Sequence, residues 1–191
     1  VRGLGLRCTG AGPVRGGGAA ASRERIAVSL GAPGNWAVRR MAERGGGVFR
    51  EQAERRGSAP FLHRWNGSDW EALSWSECRT RVLRTGAALV AEGVAAGEAV
   101  VLLSENRVEW ILADHGIQAA GGVTVPVYAT STADTIAKIV ANCKARLAIV
   151  GATKLAANLP SGVKVVEMDR ELARWMAGAR PESAQAGLKR R

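Results

Sequence analysis

Residues 99–127 read AVVLLSENRVEWILADHGIQAAGGVTVPV, and this stretch decides the class of the fold. Ala99-Val100-Val101-Leu102-Leu103 is an unbroken apolar run of strand length, the pattern of a strand covered on both faces. Asn106, with Glu109 three positions on, is placed to cap a helix in which Val108, Ile111, Leu112, His115 and Ala119 share a face. Gly121-Gly122 ends that helix. Val123-Thr124-Val125-Pro126-Val127 is a second strand, and its proline, unable to donate to a ladder, places the strand's end. Strand, helix and strand at these lengths predict a crossover connection and hence parallel pairing.

The same texture continues on both sides. Downstream, Ser131 and Asp134 open a helix carrying Ile136, Ile139, Val140 and Cys143 at helical spacing, and Arg146 to Val150 returns as strand. Lys164 to Met168 adds a strand and Glu171 to Met176 a helix. Upstream, Phe49 to Arg56 predicts a short helix ended by Gly57, and Pro60 to Trp65 with Trp70 to Leu73 predicts a hairpin turning at Asn66-Gly67. Ser74 and Glu77 fit a capping box, in which hydroxyl and carboxylate each satisfy a free backbone N–H. The helix they open carries Cys78, Val82, Leu83, Leu89 and Val90 near one stripe and stops at Gly93. The expected class is α/β, a partial, mainly parallel sheet with flanking helices and disordered tails.

Three segments follow from texture. Residues 1–47 are Gly- and Arg-rich without periodicity and read as a disordered extension; residues 48–178 form the α/β domain; residues 179–191 are a polar basic tail. The net charge of +10 invites a nucleic-acid reading, but residues 48–150 hold eleven basic and eleven acidic side chains. The excess lies in the ends, so no specific nucleic-acid face is expected on the folded part. No apolar run approaches the roughly 18 residues that span a bilayer, so no transmembrane segment is expected. Cys8, Cys78 and Cys143 are far apart, without a C-x-x-C pair, which suggests neither a disulfide framework nor zinc, and a reducing compartment.

Few residues invite chemistry. Gly10-Ala11-Gly12 begins like a dinucleotide fingerprint, but Arg15 takes the last glycine position and no helix follows; a G-x-x-x-x-G-K-[ST] loop is absent. His115 adjoins Asp114, yet helix neighbours point about 100° apart, so a core-edge histidine is the expectation. His63 has no visible partner, and Trp65, Trp70, Trp75 and Trp110 read as core and rim packing. The most suggestive polar segment is the loop holding Tyr128, Thr130, Ser131 and Thr132, because it follows a strand's carboxyl end, where ligands bind in open α/β sheets. The plainer alternative is that Ser131 only caps the next helix. No catalytic, cofactor-binding or metal-ligating residue is identified.

The runs Leu103 to Asp114 and Gly116 to Thr132, read residue by residue, closely resemble the amino-terminal part of long-chain fatty-acid–CoA ligases, members of the adenylate-forming (AMP-binding) superfamily. Leu73-Ser74-Trp75-Ser76-Glu77 resembles the segment opening that family's first long helix, and Val48 to Ala59 its leading helix. The resemblance covers about residues 48–150. His115 departs from the family's usual apolar residue, and Asn142-Cys143-Lys144 is an unusual helix end.

The resemblance implies ATP, Mg²⁺ and CoA as cofactors and co-substrate of a full-length enzyme that adenylates a fatty acid and passes it to the CoA thiol. It also implies a cytoplasmic location, with room for peripheral membrane contact, and the rest of the ligase as partner. The family's phosphate loop and catalytic lysine lie beyond this chain, so the chain alone is expected to be inactive and to bind no cofactor. The alternative is a freestanding α/β small-ligand or nucleotide-binding module without catalysis.

Overall fold

The computed structural model describes residues 47–178. Expectations for residues 1–46 and 179–191 lie outside the described residues, and Gly47 is already helical, one residue inside the stretch expected to lack structure.

Helix α1 (residues 47–56) precedes an antiparallel hairpin of β1 (Pro60–Trp65) and β2 (Trp70–Ser74). Helix α2 (Trp75–Ala91) leads to β3 (Ala99–Leu103), α3 (Val108–Ala119) and β4 (Val123–Val127). Helix α4 (Ala133–Cys143), β5 (Leu147–Val150), the short α5 (Thr153–Ala156) and β6 (Lys164–Glu167) follow. A π-helical turn (Met168–Leu172) then runs into α6 (Ala173–Met176).

Strands β3 to β6 form one parallel sheet in the order β4-β3-β5-β6. Both faces are covered because strand side chains alternate. Val100 and Leu102 of β3, with Leu147 and Ile149 of β5, enter one core with Leu89 of α2 and Leu112 and Ile117 of α3. Val101, Leu103, Ala148 and Val150 enter a second core with Ile136 and Val140 of α4. All four β3 residues Val100 to Leu103 are wholly buried, as a continuous apolar run requires.

The helix ends follow local chemistry. At Ser74 both halves of the capping box form: the hydroxyl accepts from Glu77 N (3.2 Å) and the Glu77 carboxylate accepts from Ser74 N (2.8 Å). Helix α2 ends with Gly93 at φ +88°, where Gly93 N donates to Val90 O and Val94 N to Leu89 O. Helix α3 repeats the arrangement at Gly121 (φ +81°), with Gly121 N on Gln118 O and Gly122 N on Ile117 O. Both are Schellman closures, which favour glycine at the left-handed position.

Four expectations need correction. Asn106 does not cap α3; the cap position is Arg107, which makes no side-chain capping bond there. Thr132, not Ser131, caps α4, its hydroxyl accepting from Thr135 N (3.3 Å). Leu83 and Val90 of α2 are 49% and 56% exposed, and Ala119 of α3 is exposed except where its Cβ lies against Gly86. The two helices meet instead through small residues: a Cβ on Gly86 would lie 3.1 Å from Ala119 Cβ, and one on Gly116 would lie 2.5 Å from Thr85 Cγ2. Finally, Trp65 and Trp70 are exposed, whereas Trp75 and Trp110 pack against the first core.

Candidate functional site

From β3 the chain crosses to β4 on one side, then passes over to β5 on the other. The direction of winding therefore changes between β3 and β5, and the crevice at their carboxyl ends is the topological place for a ligand in an open α/β sheet. The residues there are Ser104 and Arg107 after β3, Gly151 after β5 and Asp169 after β6.

That crevice is filled. Gly151 N donates to Leu103 O (2.9 Å), and the buried Ser104 side chain lies so close that a Cβ on Gly151 would be 2.1 Å from Ser104 Oγ. Arg107 closes it from above. Its Nε donates to Glu109 Oε2 (2.7 Å), its Nη1 to Gly151 O (3.2 Å) and its Nη2 to Asp169 Oδ1 (2.6 Å). The bond to Asp169 above all raises the Arg107 pKa still further; burial, the next largest influence, opposes it, and the bond and charge at Glu109 add to the rise. Glu109 also meets Arg64 (3.5 Å), which pairs with Glu71 (2.6 Å). Glu71, Arg64, Glu109, Arg107 and Asp169 thus form one chain of alternating charge from the hairpin to the end of β6.

The arrangement does not suit a triphosphate. The guanidinium is engaged at every nitrogen, and Glu167 and Glu171 lie beside Asp169, Glu167 accepting from Thr153 Oγ1 (3.0 Å) and Glu171 from Glu167 N (3.1 Å). Phosphate charge brought here would meet carboxylates. The geometry holds strand ends together.

The loop after β4 is different. Ser131 N donates to Tyr128 O (3.0 Å), which turns the chain, and Tyr128 is 83% exposed. Tyr128, Thr130, Ser131 and Thr132 lie on this loop at the carboxyl end of an outer strand of the described sheet. Thr132 is occupied by the cap and shares a hydroxyl contact with Thr135 (3.0 Å).

The remaining reactive residues are packed. His115 stacks on Phe49 (4.4 Å between centroids); burial pushes its pKa down, against a smaller opposing influence of Asp114. Its Nδ1 is buried without a hydrogen-bond partner. His63 lies exposed on β1. Burial pushes the Cys78 thiol up to about 11, and Cys143 Sγ contacts Val140 O (3.6 Å). Among the described residues no group of three or more His, Cys, Asp or Glu side chains is set to hold a metal ion, and no helix is long and apolar enough to cross a membrane.

Sequence reasoning passed over Arg107. A large cation between a strand end and a helix start is the one signal it carried, because that position faces the neighbouring strands' last carbonyls. Its partners Gly151 and Asp169 lie 44 and 62 residues away and had no local mark.

Comparison with known proteins agrees with this architecture. A solved Mycobacterium tuberculosis fatty acyl CoA synthetase superposes with a TM-score of 0.60 over 71% of this chain and 28% of its own, at 23% identity, a likeness of fold. The long-chain-fatty-acid–CoA ligase ACSBG2 of Rattus norvegicus is 31% identical over 103 residues, 54% of this chain and 15% of that protein. The long-chain-fatty-acid–CoA ligase FadD15 of Mycobacterium bovis is 37% identical over 67 residues, 35% of this chain and 11% of that protein. The chain therefore spans a small part of the relatives it matches. The profile of the AMP-binding enzyme family matches residues 49–188, most of the chain. A sheet wound as in adenylate-forming enzymes and a family match of that extent lead to one conclusion: this chain belongs to the AMP-binding enzyme family.

Proposed function

We propose that the chain is the amino-terminal scaffold of a long-chain fatty-acid–CoA ligase, with residues 48–178 as a partial domain that does not itself adenylate. The observation that carries this reading is the 103-residue match to a ligase of that name, joined to a switch-point crevice closed by Arg107 and Ser104. ATP, Mg²⁺, CoA and the fatty acid belong to the complete enzyme in this reading, and the rest of that enzyme is the chain's partner in the cytoplasm. Fatty-acid-dependent ATP–pyrophosphate exchange by the chain alone should stay at background; exchange above background would overturn the proposed silence. Grafting residues 48–178 into the matching region of FadD15 tests the ligase assignment. A chimera retaining activity within about tenfold supports it, and a folded, inactive chimera contradicts it.

A second reading rests on the exposed Tyr128. A freestanding binding module would use Tyr128, Thr130, Ser131 and Thr132 to hold a small ligand or nucleotide. Calorimetry with acyl-CoA and adenine nucleotides separates the two: submicromolar binding lost in Tyr128→Ala supports the module, and absence of heat supports the scaffold.

A further inference from the structure

The hairpin tip holds two indoles in water. Trp65 and Trp70 are register partners at the turn end of β1 and β2 and are 53% and 62% exposed. Their rings meet edge to face, centroids 5.6 Å apart. Large aromatics are usually well buried, so a rigid exposed pair calls for an explanation.

The loop between them is satisfied from within. Asn66 N donates to Asp69 O (3.1 Å); Asn66 Oδ1 accepts from Ser68 N (3.0 Å) and Asp69 N (2.9 Å); Trp70 N donates to Asp69 Oδ1 (2.7 Å). Just below, Arg64 and Glu71 neutralise one another at 2.6 Å. The tip therefore offers two aromatic rings, a largely self-bonded backbone and one carboxylate, Asp69, that already accepts a bond.

We infer that this tip is a membrane-contact element in which Trp65 and Trp70 seat at headgroup depth in a zwitterionic lipid bilayer. Indoles favour the interface between water and hydrocarbon, apolar on their faces and hydrogen-bonding at N–H. Backbone groups paired within the loop can enter a low-dielectric layer without a large desolvation cost. A protein partner fits less well. The two rings expose roughly 300 Å² at most, against about 800 Å² per partner in a standard interface, and their neighbours Asn66, Gly67, Ser68 and Asp69 are polar. Nucleic acid fits worst, because Arg64 is held by Glu71 and Glu109 and the edge-to-face pair offers no slot between parallel rings. Asp69 sets the lipid preference: anionic headgroups would repel it. The inference rests on the tip's own geometry, and in the ligase reading it requires that the rest of the enzyme leave Trp65 and Trp70 uncovered.

The test uses the full chain and phosphatidylcholine vesicles at about 0.15 M salt, where the basic ends find no anionic lipid to bind. Co-sedimentation should show binding unchanged at about 0.5 M salt, and lipids brominated near the headgroup should quench tryptophan fluorescence. W65S/W70S should lower the partition coefficient about tenfold or more, and W65F/W70F should keep it within about threefold. Should the serine pair fail to fold, by circular dichroism, the single variants W65F and W70F decide. Loss of part of the bromine quenching in each supports the inference; unchanged quenching in both overturns it. Absence of wild-type binding to phosphatidylcholine, or binding only to anionic vesicles that vanishes with salt, also overturns it.

Discussion

Two places at the carboxyl edge of the same sheet have opposite character. Between β3 and β5, where the winding reverses, a serine, a glycine and an arginine leave no room. After β4, one strand away, Tyr128 stands 83% exposed on a loop whose hydroxyls are only partly engaged. Topology makes both positions eligible for a ligand, and side-chain chemistry separates them. The closed crevice is where packing and charge hold three strands in register; the open loop adds little to that register and leaves Tyr128 exposed.

The largest way to break this contrast is Gly151→Ala. The added Cβ would lie 2.1 Å from Ser104 Oγ and 2.7 Å from its Cβ, so the ends of β3 and β5 must part. A loss of about 3 kcal/mol is expected in urea unfolding. A loss below about 0.5 kcal/mol would mean the crevice has room after all.

Arg107→Ala comes next. It strips partners from Glu109, whose side chain is 16% exposed, and from Asp169, which is 64% exposed, so most of the effect comes from the less exposed carboxylate and from Gly151 O. About 1–2 kcal/mol is expected, and the gap between wild type and variant should shrink in about 0.5 M salt. An unchanged midpoint would show that the charge chain is ornamental to the fold.

These two residues also show what could be read ahead of the structure. The bounds of β3 and β4 follow from apolar runs between Gly, Ser and Pro, and the ends of α2 and α3 follow from Gly93 and Gly121, because these signals are local. The caps were misread by one residue, Asn106 for Arg107 and Ser131 for Thr132, since adjacent polar residues compete for one position and backbone geometry chooses. The outer stripe of α2 was misread for another reason. Its contact with α3 is made by Thr85, Gly86 and Gly116, whose value is smallness, so apolar Leu83 and Val90 could be left outside. The open loop was legible because it follows a strand; the closed crevice was not, because its closure joins residues tens of positions apart.

His115 sharpens the contrast away from the edge. Its folded pKa lies below the ordinary histidine value because burial against Phe49 disfavours the charged form. Below that ordinary value the unfolded chain binds more protons than the folded one, so stability should fall as pH drops from about 6.5 and level off above it. His115→Phe should flatten this slope in denaturant melts from about pH 5 to 7.5; an unaltered slope would assign it to other groups. Tyr128→Ala is the smallest expected change, within about 0.5 kcal/mol of wild type, as for an exposed side chain without structural bonds. A larger loss would make the loop part of the scaffold.

The claim at the centre is that the switch-point crevice is shut to nucleotides. Backbone amide spectra of the isotope-labelled chain titrated with Mg·ATP to about 5 mM test it directly. The account predicts that the amides of Ser104, Arg107 and Gly151 stay in place throughout. Saturable shifts at those three amides, abolished by excess EDTA or by Arg107→Ala, would contradict it.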